Sequence, residues 1–173
     1  ASLNAPGITK IKAKKSRNHT ENFFKNLDIP IKIKKNKNYD FIEVRGEKNF
    51  SAFKYRIPGD ISSSAFFIVL TILSENSKLI IRNVNINPSR DGIIRILKKM
   101  GAKIHYDNIK IYKGEKIANI HVRSSKYIKS VKCPTNLNSS AIDEFLIIFL
   151  VAAKANGVSF FNNLEELNQK ESK

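Results

Sequence analysis

An internal repeat constrains this chain more than any other feature. Phe66–Asn83 (FFIVLTILSENSKLIIRN) lies over Phe145–Asn162 (FLIIFLVAAKANGVSFFN) without a gap, so that an apolar helix, a polar turn and a strand coincide. Ser16-Arg17 and the helix that follows likewise overlay Ser89-Arg90 and its helix, at nearly the same spacing. The unit is a buried helix, a strand, a polar loop, an amphipathic helix and two strands, in about 75–80 residues. The fold class is therefore α/β (α+β), built from repeated βαβαββ units, about two of which fit here. The chain holds the end of one copy, one whole copy and the start of another. Both ends fall inside a unit, and a fragment of something longer is expected.

The stretch Arg56–Leu73 (RIPGDISSSAFFIVLTIL) is the hub of the pattern. Pro58-Gly59-Asp60 is turn chemistry, because Pro fixes φ, Gly permits positive φ and Asp bonds nearby backbone. Asp60 or Ser62 can cap the helix that follows. From Ala65 to Leu73 only Thr71 is polar, and a helix apolar all round is expected inside a fold. Such a turn also suits an anion, although many helix starts carry no ligand.

In order along the chain, Ala1–Asn4 reads as the tail of a helix and Ile8–Ala13 as a strand. A helix runs to about Leu27, with Asn18 and Glu21 as a capping box. Strands are expected at Ile31–Lys35 and Phe41–Val44, then at Lys78–Val84. The spacing of Ile93, Ile94, Ile96, Leu97 and Met100 predicts a helix over Asp91–Met100, ended by Gly101. Strands follow at Lys103–Tyr106, Ile109–Tyr112 and Asn119–Arg123. Ser140–Asp143 then caps a second buried helix, Phe145–Ala155, before a strand at Val158–Asn162.

A 173-residue chain with 42% hydrophobic residues can bury a real core. The longest apolar run, Phe145–Ala153, is too short to span a membrane. The single cysteine, Cys133, excludes an internal disulfide and fits a reducing compartment. The net charge of +16 opens a nucleic-acid hypothesis, because clustered cations release counterions from phosphates. Composition argues against it. The excess is mostly Lys and accompanies abundant Asn and Ile, all with A/T-rich codons. The densest run, Lys32–Lys37 (KIKKNK), begins as a half-exposed strand does and lacks the interleaved aromatics of a stacking platform.

Six motifs carry a resemblance: LNAPG (Leu3–Gly7), SRNHTE (Ser16–Glu21), IPGDISSSAFF (Ile57–Phe67), NPSRDGI (Asn87–Ile93), IDE (Ile142–Glu144) and KES (Lys170–Ser172). In this order they resemble the enolpyruvyl transferases, and within them the bacterial-type 5-enolpyruvylshikimate-3-phosphate synthases. The resemblance implies a fold of six repeats, three in each of two domains, with the active site in the cleft between. Residues 1–57 are then the end of one domain, 58–60 the crossing turn, and 61–173 part of the other. The implied reaction joins shikimate 3-phosphate to phosphoenolpyruvate and releases phosphate through a tetrahedral intermediate. No metal or organic cofactor is implied, and a cytoplasmic enzyme, monomeric at full length and without nucleic-acid or membrane partners, is expected.

Carried over residue by residue, the resemblance makes Asp143 the base for the 5-hydroxyl and a substrate contact. Arg17 takes the shikimate phosphate, where a guanidinium bonds in bidentate fashion. Lys170 contacts the anionic substrates, and Glu171 is a candidate for proton transfer at the phosphoenolpyruvate methylene. From the residues alone, Asp143 is equally the N3 member of a capping box, Arg17 a surface residue beside a cap, and Lys170–Ser172 a solvated tail. Arg90 and Asn87 fall in a strong motif, yet their repeat position suits a loop-to-helix junction as much as a ligand. Ser62–Ser64 suit capping rather than nucleophilic catalysis. His19, His105 and His121 show no metal-ligand spacing, and His19 reads as structural. Two departures stand out: Asn18 replaces the family's usual Asp, and Lys173 follows Ser172 where the family commonly continues Asp-Arg.

Two alternatives of other kinds remain. One is a basic nucleic-acid-binding or structural module on the same repeat fold. The other is the sister UDP-N-acetylglucosamine enolpyruvyl transferase, which shares the fold but is not expected to carry SRNHTE or IPGDISSSAFF. A truncated chain is expected to be inactive alone.

Overall fold

The computed structural model of the chain describes residues 2–46 and 51–169. It forms two compact units, Ala1–Ile57 with Ile111–Glu115, and Pro58–Lys110 with Lys116–Lys173.

In the first unit, β1 (Ile8–Lys14), α1 (His19–Asn26), β2 (Ile31–Lys35) and β3 (Tyr39–Arg45) form an antiparallel sheet in the order β1-β3-β2 beside one helix. The period-two alternation of β2 and β3 sends Ile31, Ile33, Ile42 and Val44 to one face, against Phe24, Leu27 and Ile29. The register pairs Ile33 with Ile42 and Ile31 with Val44, so the apolar residues meet directly. A single 3₁₀ turn, Ser2–Asn4, stands in place of the expected helix tail. The capping box at Asn18 is not formed. Asn18 is the N-cap of α1, but with φ −123° and ψ 25° it makes no side-chain cap bond. A side chain reaches the N2 or N3 amide most readily from the extended region, which this backbone does not adopt.

Residues 111–115 carry a hairpin tip whose central Lys113 and Gly114 have φ of 48° and 85°. Two successive positive φ values are the mark of a type I′ turn. Buried Glu115 closes the tip against α1: its Oε1 accepts from Asn22 Nδ2 at 3.3 Å and lies 2.9 Å from His19 Nδ1. His19 thus has a structural partner in the same unit. The turn position corrects the expected pair of strands at Lys103–Tyr106 and Ile109–Tyr112. They are one strand, β5 (Lys103–Tyr112), in which Asn108 takes φ 49° without ending the ladder. Asn tolerates that conformation, so the strand runs on through Asp107-Asn108 instead of reversing there.

The second unit contains α2 (Ile61–Leu73), β4 (Lys78–Asn85), α3 (Gly92–Lys99), α4 (Phe145–Ala153) and all of β5 and β6 (Glu115–Arg123) except their hairpin tip at residues 111–115. Its sheet runs β4-β6-β5, the same first-third-second order as the first unit, so the repeat reappears as topology. The expected strand at Val158–Asn162 is absent. Phe160 and Asn156 instead make isolated parallel bridges to Lys132 and Lys129, because the chain they meet is itself irregular.

The core lies where α2, α3, α4 and the sheet converge, around Ile68, Ile72, Ile96, Leu97, Ile120, Phe145 and Ile148. Helix α3 behaves as its spacing requires: Ile93, Ile94, Ile96 and Leu97 are buried, Lys98 and Lys99 face solvent, and Gly101 follows at φ 92°. Helix α2 does not lie wholly inside. Ala65, Ile68, Val69 and Ile72 are buried, but Phe66, Phe67 and Leu70 are 66%, 61% and 63% exposed. One packed layer covers one stripe of a helix, and the opposite stripe stays open. The same division in α4 leaves Leu146 and Leu150 exposed beside buried Phe145, Ile148 and Val151.

Candidate active site

The site is built on the Pro58–Asp60 turn. Gly59 is strapped to β4, its N–H donating to the Asn83 carbonyl and its carbonyl accepting from Asn85 N–H, both at 2.8 Å. This delivers Asp60 to the N-cap of α2 with extended backbone (φ −81°, ψ 133°). Asp60 Oδ2 accepts from the Ser63 N–H at 2.8 Å and the Ser63 hydroxyl at 3.0 Å. Of the two cap candidates, Asp60 is the cap, and Ser62 is left for another role.

Arg90 arrives from the loop before α3, which buried Asn87 folds back on itself. Asn87 Oδ1 accepts from both the N–H and hydroxyl of Ser89 at 2.9 Å, and its carbonyl accepts from the Arg90 N–H at 2.8 Å. The turn before α4 comes close because residue 92 is glycine. A Cβ there would lie 2.5 Å from Ser140 Oγ and 2.8 Å from the Ala141 nitrogen. NPSRDGI is thus a device for bringing two helix starts together.

Three elements consequently meet around one guanidinium. Arg90 Nη2 lies 3.2 Å from Asp60 Oδ1, donates to Ser62 Oγ and stands 3.9 Å from Asp143 Oδ2. The Ser62 hydroxyl in turn donates to Glu144 Oε1. Asp143 immediately precedes Glu144, the N-cap residue of α4, which makes no side-chain cap bond. Neither the expected Ser140–Asp143 cap nor an N3 role for Asp143 is therefore found, because the helix begins at Phe145 with Glu144 as its N-cap, too late for Ser140 and Asp143 to form a capping box.

The three carboxylates differ in environment. Burial pushes Asp60 upward, but the Ser63 N–H and hydroxyl, the Ser62 N–H and Arg90 outweigh it and hold it below the usual carboxylate range. Glu144 is only 3% exposed, and burial pushes its carboxyl up. Ser62 and Arg90 pull it down, nearby Asp143 and Asp60 push it up again, and the balance stays above the ordinary value. Burial and the neighbouring carboxylates thus outweigh the single guanidinium at Glu144, whereas hydrogen bonds and the guanidinium outweigh burial at Asp60. A cluster holding an ionised and a more easily protonated carboxyl side by side can position a hydroxyl and exchange its proton.

Of the residues expected from sequence, Asp143 belongs to this cluster. Arg17 belongs to the first unit, exposed in the segment between β1 and α1. Lys170 and Glu171 lie outside the described residues. Sequence reasoning missed the joint role of Asp60, Ser62, Arg90 and Glu144. Arg90 sits in the NPSRDGI motif, but nothing in the spacing shows that it bridges two helix starts. Cys133 is buried as a free thiol. Among the described residues, no group of His, Cys, Asp or Glu is arranged to hold a metal ion, and no helix is long and apolar enough to cross a membrane.

A sequence model of EPSP synthase (3-phosphoshikimate 1-carboxyvinyltransferase) matches residues 1–173. The chain belongs to the EPSP synthase family. Proteins named 3-phosphoshikimate 1-carboxyvinyltransferase from Zymomonas mobilis, Legionella pneumophila and Caldicellulosiruptor saccharolyticus are 38%, 41% and 42% identical to it over 173 residues. Each match covers 99% of this chain and 38%, 39% and 40% of the relative. An EPSP synthase structure from Acinetobacter baumannii superposes with a TM-score of 0.87 at 35% identity, over 99% of this chain and 38% of that one. The chain therefore spans about two-fifths of the length of these relatives. The mixed α/β fold expected from the repeat is that of an EPSP synthase structure. Three of the motifs read from sequence, IPGDISSSAFF, NPSRDGI and IDE, build the Arg90 cluster.

Proposed function

We propose that this chain is part of an enzyme that transfers the enolpyruvyl group of phosphoenolpyruvate to the 5-hydroxyl of shikimate 3-phosphate. The observation that carries the reading is the uninterrupted family match over residues 1–173. In the reaction the 5-hydroxyl oxygen bonds to C2 of phosphoenolpyruvate while the methylene gains a proton. Loss of a proton and of phosphate from the tetrahedral adduct then restores the double bond. Asp143 takes the hydroxyl proton. Its accessibility supports this choice over Glu144, which is buried and already engaged by Ser62. Arg90 positions Asp143 through its charge. Arg17 binds the shikimate phosphate, Lys170 offsets substrate charge and Glu171 serves the methylene proton.

Residues 1–57 and 61–173 are assigned to two domains of the whole enzyme, joined at the turn 58–60. A buried free thiol at Cys133 fits a reducing, cytoplasmic setting, and a monomer at full length is expected.

The test is phosphate release from phosphoenolpyruvate and shikimate 3-phosphate by the longest reading frame containing this chain. Asp143→Asn is expected to lower kcat by about 10²–10⁴-fold, with shikimate 3-phosphate still bound. Arg17→Ala is expected to weaken shikimate 3-phosphate binding while leaving unphosphorylated shikimate unaffected. Unchanged kcat in Asp143→Asn would overturn its role, and no phosphate release by the parent would overturn the reaction.

A further inference from the structure

We propose that the outer face of the first unit's sheet is a binding surface for single-stranded nucleic acid, separate from the transferase reading and not resting on it. The run Lys32–Lys37 contains no aromatic residue, but cross-strand register supplies what the run lacks. In β1, Lys10, Lys12 and Lys14 stand opposite Glu43, Phe41 and Tyr39 of β3. On the other side of β3, Lys32 and Lys34 stand opposite Glu43 and Phe41. Because residues two apart share a face, these side chains form one surface. Two rows of lysines flank a central row holding two aromatic rings.

The surface is open and strongly one-signed. Tyr39 and Phe41 are 37% and 40% exposed, large for rings on a central strand, and the five lysines are exposed. Among the described residues of these strands, Glu43 is the one carboxylate on this face, and Lys10 Nζ lies 3.7 Å from it. Lys12 Nζ sits 4.9 Å from the Tyr39 ring centroid and 5.9 Å from that of Phe41, so cation and ring faces are presented together. A hollow of about 700 Å³ is lined by Lys32, Lys34, Phe41 and Glu43 among others.

The chemistry selects the partner. Lysines alone would suit any polyanion. Exposed rings between them suit one whose apolar faces can stack, and bases in a duplex are already stacked on each other. Same-face lysines recur about every 6.7 Å along each strand, a spacing that lets successive phosphates be met in turn.

The test is fluorescence anisotropy with labelled 12-mers of oligo(U) and oligo(dT), and with a duplex of equal length, across a salt series on the 173-residue chain. Both single strands are expected to bind more tightly than the duplex, and a difference between them would identify RNA or DNA as the preferred source. The double variant Lys12→Ala/Lys34→Ala is expected to make the log–log salt slope shallower by about 0.7 for each phosphate no longer neutralised. Phe41→Leu, which keeps apolar volume and removes the ring, is expected to weaken binding about tenfold with the slope unchanged. Tyr39→Leu gives the same reading should Phe41→Leu fail to fold by circular dichroism. Equal affinity of parent and ring variants, or a duplex bound as tightly as the single strands, would overturn the proposal. So would preferential, ring-dependent capture by phosphatidylserine vesicles, which would make the partner a membrane.

Discussion

Arg90 donates from a single nitrogen towards Asp60, Ser62 and Asp143, and its neighbours divide into carboxyls of opposite tendency. This makes two opposite pH signatures measurable. Glu144 has its folded pKa raised, so the native state holds the proton more tightly than the unfolded chain. Its contribution to stability therefore declines as pH rises from the unfolded carboxylate range through the folded value. Asp60 has its folded pKa lowered, so its contribution is present above the unfolded value and is lost as pH falls through the folded one. In a pH series of thermal melts on this chain, Glu144→Gln is expected to gain relative to the parent as pH rises. Asp60→Asn is expected to lose relative to the parent over the same rise. Curves of the same sign for both variants would contradict the assigned environments. Gly92 offers a steric test of the same site. Gly92→Ala must move the Ser140–Ala141 backbone and is expected to cost about 1–3 kcal/mol in urea unfolding.

Helix α2 shows at the level of the element why a run of apolar residues is an incomplete instruction. Its residues alternate between full burial and open exposure every turn, which composition cannot reveal because both stripes are equally apolar. Truncating the covered stripe with Ile68→Ala is expected to cost about 2–5 kcal/mol, measured by urea denaturation. Phe66→Gln on the open stripe is expected to stay within about 0.5 kcal/mol of the parent. Equal losses would mean that both stripes are covered in solution. The hairpin of β5 and β6 carries a second lesson. Asp107-Asn108 has stronger turn chemistry by composition than Lys113-Gly114, yet the chain reverses at the latter. Gly114 has φ 85° and an ideal Cβ there would lie 2.8 Å from the Asn22 carbonyl oxygen, so backbone approach decides the matter.

Over the whole molecule, the two units are unequally endowed. The first buries Ile29, Ile42 and Val44 as its compact cluster, whereas the second buries a continuous core from Ile61 to Val151. Local opening is easiest where little apolar packing must be broken. Native-state hydrogen exchange is therefore expected to show faster exchange for the β1 and β3 amides than for those of β4 and β6. Uniform protection across both sheets would show that the units open together. The charge of +16 acts on both, since self-repulsion opposes compaction and is screened by salt.

The repeat, the class of fold, most of the helices and strands, and the family were legible in the sequence, because each is written in local periodicity or in contiguous motifs; the unbroken β5 and the missing strand at Val158–Asn162 were not, since both depend on backbone pairing between distant segments. Asp143 could be singled out because it lies within one short motif, and its place beside Arg90 appears only in the structure. The tertiary structure alone decided which residues meet. Arg90 joins Asp60 and Asp143 only because Gly59 is strapped to β4 and Gly92 admits the turn before α4. Tyr39 and Phe41 come to lie between lysines only through antiparallel register. Both outcomes depend on segments far apart in the chain, and the energies that select them reside in packing and backbone pairing rather than in any one stretch.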